Sequence, residues 1–284
     1  MELAHPTEPT APPAIAPPPL PARTHRRTTL SVLLIAFNEA DRIEGCLRSV
    51  AGWADEIVVL DSGSTDATAE IARRYTDKVW VTDWPGYGPQ RNRALARCGG
   101  EWVLSIDADE AVTPELRDEI DRTLDDPARS CTVIKMPWRT FVFGQPLRRG
   151  RYTSPQAKLF LRAGARYREH QVHESLLLPV RRTVELRAPL EHHSWRSYRH
   201  LQEKHLGYAC LLAEQKRAQG ARGSLPYAAL RFLTDFTQQY LLRGGFLDGG
   251  RGFLMACALG QYAFHKYAAL WALNADATDE TRRR

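Results

Sequence analysis

From Thr29 onward the chain alternates between short apolar runs and stretches with helical spacing. Leu30-Ser31-Val32-Leu33-Leu34-Ile35-Ala36 is almost continuously apolar, as a strand buried on both faces should be. It stops at Phe37-Asn38-Glu39, after which Ile43, Leu47 and Val50 recur at the spacing of a helix. A second run, residues 56–60, ends at Asp61-Ser62-Gly63-Ser64-Thr65-Asp66. The pattern then predicts a helix over 70–75, a short strand over 78–81, a helix over 90–97 and a fourth strand over 101–106. That fourth strand ends at Asp107-Ala108-Asp109-Glu110. Strands alternating with helices predict an α/β architecture built on a parallel sheet with right-handed crossovers.

Beyond Tyr198 the pattern becomes helical. Pro226 suits the start of a helix that carries Phe232, Leu233, Phe236 and Tyr240 on one face and Arg231, Asp235 and Gln239 elsewhere. Residues 244–252 are glycine-rich and predict a turn, followed by a second apolar stretch with Phe253, Leu259, Tyr262, Tyr267 and Trp271. Aromatics mixed with Arg243, Arg251 and Lys266 fit two helices lying in a lipid headgroup layer; packing on the rest of the chain or on a second subunit fits equally. The most apolar stretch, residues 252–273, is broken by Gln261, His265 and Lys266. No segment therefore offers the roughly 18 unbroken apolar residues that crossing a bilayer needs. At the other end, residues 1–21 hold eight of the 18 prolines. They lack the apolar core of a secretory peptide, so residues 1–27 are expected to be a disordered, proline-rich tail. The expected division is thus tail, catalytic domain over 28–196 and helical extension over 197–284.

Composition narrows this picture only a little. With 43% hydrophobic and 25% charged residues over 284 positions, a globular fold is expected and a collagen, coiled-coil or wholly disordered chain is excluded. Five scattered cysteines without a Cys-x-x-Cys pair argue against a disulfide framework or a zinc ribbon and favour a reducing, cytoplasmic setting. The net charge of +6 is uneven: residues 135–187 carry twelve Lys or Arg against Glu169, Glu174 and Glu185. No nucleic-acid recognition motif accompanies that charge, so a nucleic-acid partner is not expected. A phosphorylated acceptor, anionic lipid headgroups or a merely solvated basic face account for it.

The polar residues cluster where three strands end. In an open parallel sheet such ends share one edge, where ligands bind. Ser64, Thr65 and Asp66 also suit a plain helix cap. Asp107 and Asp109, two positions apart after a buried strand, repel each other unless a cation intervenes. Hard oxygen ligands of this kind suit Mg²⁺ or Mn²⁺ shared with phosphate oxygens. Neither a Gly-x-Gly-x-x-Gly fingerprint nor a P-loop is present, which removes the main support for a dinucleotide oxidoreductase or a P-loop NTPase.

Residues 33–39, the Asp-Ser-Gly-Ser-Thr-Asp turn and the Asp107-Ala108-Asp109 triplet, in that order, resemble the family 2 glycosyltransferases of the GT-A fold. Within that family the chain looks most like the lipopolysaccharide inner-core glucosyltransferases, a likeness supported by Val172-His173-Glu174. The resemblance implies a Rossmann-like, mostly parallel sheet flanked by helices, with a C-terminal helical extension. It also implies a nucleotide-sugar donor, UDP-glucose above all. Asp61 would contact uracil or ribose, with Phe37, Asn38 and Glu39 flanking the same nucleotide; Arg91, at the start of a helix near the donor in this fold, suits a phosphate contact or a solvated helix face. Asp109 with Asp107 would hold Mg²⁺ or Mn²⁺ against the diphosphate. Read from the residues alone, His193, beside His192, suits a metal shell or a pyrophosphate contact, and equally a plain turn or interface feature. Glu174 would be the base that deprotonates the acceptor hydroxyl in an inverting displacement. The acceptor implied is a lipopolysaccharide core or another lipid-linked or phosphorylated glycan, with the enzyme peripheral on the cytoplasmic face of the inner membrane and an oligomer possible. The chain lacks a Gln-x-x-Arg-Trp motif, which argues against processive polymer synthesis. Two rival readings are a sugar nucleotidyltransferase, disfavoured because residues 36–39 are not a glycine-rich loop, and a non-catalytic nucleotide-sugar-binding or membrane scaffold protein.

Overall fold

The computed structural model describes residues 28–169 and 175–283, with side chains described to residue 275. The expected N-terminal tail lies outside the described residues. The first half follows the alternation seen in the sequence: β1 (Leu30–Ala36), α1 (Ile43–Val50), β2 (Glu56–Asp61), α2 (Thr68–Arg73), β3 (Val79–Val81), α3 (Tyr87–Leu95) and β4 (Trp102–Asp107). Then come β5 (Glu110–Val112), α4 (Pro114–Asp125), β6 (Val133–Val142), β7 (Gln145–Pro146), a 3-10 turn (Arg151–Thr153) and β8 (Pro155–Leu161). Short strands β9 (Arg166–Tyr167), β10 (Leu176–Leu177) and β11 (Thr183–Glu185) lead to β12 (Leu190–Trp195). Three helices finish the chain: α5 (Tyr198–Ala218), α6 (Leu225–Thr237) and α7 (Gly249–Arg283).

The main sheet runs β3-β2-β1-β4-β8-β6-β12-β5. Strands β3, β2, β1 and β4 are parallel, as expected. The sheet then turns mixed: β8 is antiparallel to both β4 and β6, whereas β12 runs parallel to β6. Every residue of β1 is buried, which explains its unbroken apolar run. One face packs under α1, α2 and α4 through residues such as Leu34, Leu47, Trp102 and Ile120; the other packs under α3 with Leu33, Val58, Ala94 and Phe160. Register brings the three acidic strand ends together, with Ala36 opposite Asp61 and Ile35 opposite Asp107.

The helical end differs from expectation in one respect. The glycine-rich segment is not one turn: a 3-10 turn occupies Gly245–Asp248 and α7 begins at Gly249. Gly252 is needed inside that helix because a Cβ there would sit 1.8 Å from the Gly245 carbonyl oxygen. Between α6 and this turn, Gln238–Leu242 forms a π-helical turn. The extension joins the sheet through a shared cluster of Val142, Leu147, Trp195, Leu201, Met255 and Ala258. Among the described residues no helix is long and apolar enough to cross a membrane.

Candidate active site

Two loops at the carboxyl edge are tied into one unit. Asp61 is fully buried; its Oδ1 accepts from the Gly63 and Ser64 amides at 3.0 and 2.8 Å, and its Oδ2 from the Ser64 hydroxyl at 2.5 Å. Asn38 adopts a left-handed backbone, φ +53°, which an Asn tolerates better than most residues. In that conformation its N–H donates to Ser64 Oγ at 2.8 Å while its Oδ1 accepts from the Thr65 amide at 2.9 Å. Glu39 and Ala40 add bonds from their amides to Thr68 Oγ1 (2.8 Å) and Asp66 Oδ2 (3.1 Å). Asp66 also accepts from the Thr68 amide at 3.0 Å where α2 begins, in keeping with the expected cap, and Ser64, Thr65 and Asp66 in addition stitch loop to loop. Phe37 stands out of this unit, 55% exposed.

Glu39 sits between two guanidinium groups, accepting from Arg42 Nε at 2.8 Å and from Arg196 Nη2 at 2.9 Å. Burial raises its carboxyl above the ordinary value despite both arginines. Arg196 also grips Asp41 through Nε and Nη2 at 2.5 and 2.6 Å. The start of α5 is thereby fastened to the first loop.

Asp107 is held by two cations from distant elements. Its Oδ1 accepts from Arg91 Nη2 at 2.6 Å and its Oδ2 from Lys158 Nζ at 2.7 Å. Burial opposes its ionisation, but the Lys158 ammonium and the Arg91 guanidinium outweigh burial and hold the carboxyl far below the usual range. The repulsion expected between Asp107 and Asp109 is thus relieved by protein cations on Asp107. Arg91, placed in the sequence as a phosphate contact, is buried and spends its guanidinium on Ser105 Oγ (2.8 Å) and Asp107. Glu110 completes the group, accepting from the Asp107 amide at 2.9 Å and from Trp138 Nε1 at 2.6 Å, with Lys158 Nζ 2.9 Å away. Burial pushes the Glu110 carboxyl well up, and Asp107 and Asp109 add to that effect against the pull of Lys158.

Asp109 is held more loosely. Its Oδ2 lies 3.5 Å from Arg42 Nη1 and 3.7 Å from His192 Nε2. The ring that faces Asp109 is thus that of His192, stacked on Trp138 with centroids 4.3 Å apart. His193 turns away, stacking on Phe141 at 4.4 Å with Nε2 3.8 Å from Glu191 Oε2; only its amide approaches the site, donating to the Asp109 carbonyl at 2.8 Å. The reason is the strand period: neighbouring residues of β12 point to opposite faces. Burial lowers His192 to about 4, so its ring is neutral at pH 7. Its tautomer follows from its neighbours. Thr140 spends its single hydroxyl proton on the Tyr152 carbonyl at 2.5 Å, so toward His192 Nδ1, 3.3 Å away, it acts as acceptor for an Nδ1–H. Nε2 is left with a lone pair pointing at a carboxylate.

A carboxylate and an imidazole lone pair side by side, with no proton between them, suit a divalent cation that bridges them. Among the described residues no three His, Cys, Asp or Glu side chains converge on one point, so any such cation would take its remaining ligands from water or substrate. Glu174, the predicted base, lies outside the described residues. Sequence reasoning missed Lys158, Thr140 and Glu110. The Asp-Ala-Asp-Glu run contained the signal for Glu110, whereas nothing local marked the other two.

An open α/β sheet with acidic loops gathered at its carboxyl edge has the layout of an enzyme that binds its ligand outside the strand ends. Residues 31–174 match the profile of glycosyl transferase family 2, and the chain belongs to that family. An uncharacterized glycosyltransferase of Rickettsia bellii is 47% identical over 92 residues, covering 32% of this chain and 31% of the relative. The lipopolysaccharide core biosynthesis glycosyltransferase LpsC of Rhizobium meliloti is 39% identical over 94 residues, covering 31% of this chain and 34% of that one. The matched segment therefore spans about a third of these relatives' length. Among solved structures, S. aureus TarS aligns over 65% of this chain and 39% of its own at 19% identity, TM-score 0.45. The glucosyl-3-phosphoglycerate synthase of Mycobacterium tuberculosis, in complex with Mn²⁺, UDP-glucose and phosphoglyceric acid, aligns over 40% of this chain and 45% of its own at 31% identity, TM-score 0.34.

Proposed function

We propose that the protein is a metal-dependent, inverting glycosyltransferase that moves a hexose, glucose from UDP-glucose, onto a lipopolysaccharide core or another lipid-linked glycan. Family membership supports the reaction class, and the likeness to LpsC supports the acceptor class. The observation that carries the metal dependence is the His192 Nε2 lone pair facing Asp109 Oδ2 at 3.7 Å. Asp109 and His192 would hold Mg²⁺ or Mn²⁺, with Asp107 fixed behind them by Arg91 and Lys158. A cation held by Asp109 and His192 would supply positive charge against the departing nucleoside diphosphate. The stitched loops of Asn38 and Asp61 form the floor for the nucleoside, with exposed Phe37 at the rim for stacking against the base. Glu174 is the base that takes the proton from the acceptor hydroxyl. Lys158 and Arg42 offset the carboxylates of Asp107, Glu110, Glu39 and Asp109, and Glu39 with Arg196 fixes the loop.

A peripheral position on the cytoplasmic face of the inner membrane accompanies this reading. Leu242 and Leu247 are 79% and 61% exposed, near exposed Leu241, Phe246 and Phe253, and Arg243 and Arg251 lie in the same stretch. Such a mixture suits an anionic bilayer surface.

The test is calorimetric titration of UDP with and without Mn²⁺. Wild type is expected to bind UDP far more tightly with the cation, and Asp109→Asn to lose that gain while keeping its melting temperature. Equal UDP affinity in both proteins would remove Asp109 from the site. Glu174→Gln should bind UDP as wild type does and lose transfer by ~10²-fold or more; undiminished transfer would remove Glu174 as the base.

A further inference from the structure

A cavity of about 180 Å³ lies between the 3-10 turn at Arg151, α6, the π-helical turn and α7. Its lining is unusual in charge: Arg151, Arg231, Arg243 and Lys266 face a single acidic residue, Asp235. That carboxylate is already committed, accepting from Arg231 Nη2 at 2.9 and 3.0 Å. Arg231 Nε remains buried with no hydrogen-bond partner, a desolvated donor left unsatisfied. The Lys266 ammonium is sandwiched over the Tyr262 and Tyr267 rings, 5.8 and 4.8 Å from their centroids. Burial lowers its pKa below the ordinary value, and the positive charges of Arg231 and Lys216 push in the same direction. Like charges have been collected here without the counter-charge that would normally accompany them.

The backbone is shaped to keep them there. Gln239, in the π-helical turn, accepts from the Arg151 amide through Oε1 at 2.9 Å. Gly150 adopts φ +101°, and a Cβ on it would meet Gln239 Nε2 at 1.9 Å, so glycine is required for this clasp. π-Helical turns are concentrated at functional sites because the widened turn re-aims side chains. The space far exceeds the ~10–15 Å³ that one water needs, and neutral water would leave the charge unbalanced.

We propose that this cavity binds a phosphate group carried by a larger molecule, with Arg243, Lys266 and Arg231 Nε as its donors. Guanidinium and ammonium donors converging on one small space are the chemistry that recognises phosphate oxygens. Two sources share that chemistry: the headgroup of an anionic phospholipid and a phosphorylated sugar of the acceptor. The cavity shares no residue with the Asp107–Asp109 cluster, so the assignment stands apart from the donor-site reading.

The test uses the full chain in EDTA, so that no cation can recruit phosphate to Asp109. Inorganic pyrophosphate is titrated by calorimetry into wild type, Lys266→Gln, Arg243→Gln and a control, Arg199→Gln, whose exposed side chain lies on α5. Pyrophosphate is expected to bind wild type and the control alike, and each cavity variant about tenfold more weakly. Exposed Arg243 keeps the experiment sound if Lys266→Gln fails to fold. Absence of binding to wild type, or equal binding by all four proteins, overturns the assignment. Sedimentation with phosphatidylglycerol vesicles separates the sources. Weaker sedimentation of both cavity variants than of the control identifies a lipid headgroup. Unchanged sedimentation, beside lost pyrophosphate binding, identifies a soluble phosphorylated acceptor.

Discussion

Lys158 shows how much of the site depends on one side chain. Its ammonium serves Asp107 and Glu110 together, at 2.7 and 2.9 Å, and these carboxylates raise its pKa against the opposing effect of burial. Removing one partner from a buried ionic group leaves uncompensated charge, a cost of roughly 3–5 kcal/mol. Lys158→Met is therefore expected to lower the urea midpoint markedly, whereas an unchanged midpoint would show that Asp107 and Glu110 do not depend on its charge. Thr140 acts more subtly, through the proton it denies His192. Thr140→Val should weaken Mn²⁺ binding by roughly 10–100-fold, as read by calorimetry with UDP present, and should cost about 1–3 kcal/mol of stability because the Tyr152 carbonyl and the buried His192 Nδ1–H lose their partner. Asp61 and Asp107 were legible in the sequence because each closes a buried strand, and Asp109 because it follows two residues later in the same short motif. Lys158 and Thr140 were not, since they meet their partners from 51 and 52 residues away and belong to strands without a distinctive pattern. His192 and His193 are adjacent, and only the register of β12 decides which one turns toward Asp109.

At the scale of elements, the start of the parallel sheet is held by a clasp around Glu56. Its carboxylate accepts from Lys78 Nζ, the Ser31 hydroxyl and the Gly99 and Gly100 amides. Burial works against the charge, but these donors prevail and hold the carboxyl down at about 2. A carboxyl whose pKa is depressed on folding contributes stability above its unfolded value and loses it as pH falls through the folded value. Wild type is therefore expected to lose stability between about pH 4.5 and pH 2, and Glu56→Gln should lose less over that window in urea titrations. Equal losses in the two proteins would show that the clasp does not depend on charge. Another tight contact joins the helices: a Cβ on Gly223 would meet the Trp271 amide nitrogen at 2.1 Å. Gly223→Ala should cost about 1–3 kcal/mol by forcing the loop before α6 off α7. The four parallel strands announced themselves through continuous apolar runs. Strands β6, β8 and β12 did not, because β6 alternates buried and partly exposed residues and carries Pro137, while β8 is mostly half-buried. The basic charge concentrated there masked their periodicity further.

Across the whole molecule, the division after residue 196 is a change of secondary structure more than a seam in the core. Trp195, Val142 and Leu147 from the sheet side pack with Leu201, Met255 and Ala258 from the helices. A chain ending at residue 196 would expose this cluster, and it is expected to elute as soluble aggregate in size-exclusion chromatography while the full chain does not. On the membrane reading, Leu242→Glu with Leu247→Glu should reduce sedimentation with anionic vesicles without altering UDP affinity.

The same cluster has a geometrical consequence. Helix α7 is bolted to the strand that bears His192, so on the membrane reading a bilayer held against the helical end would stand at a set distance from that histidine. On that reading the molecule would work as a depth gauge, favouring acceptors whose terminal sugar stands at the matching distance from the surface.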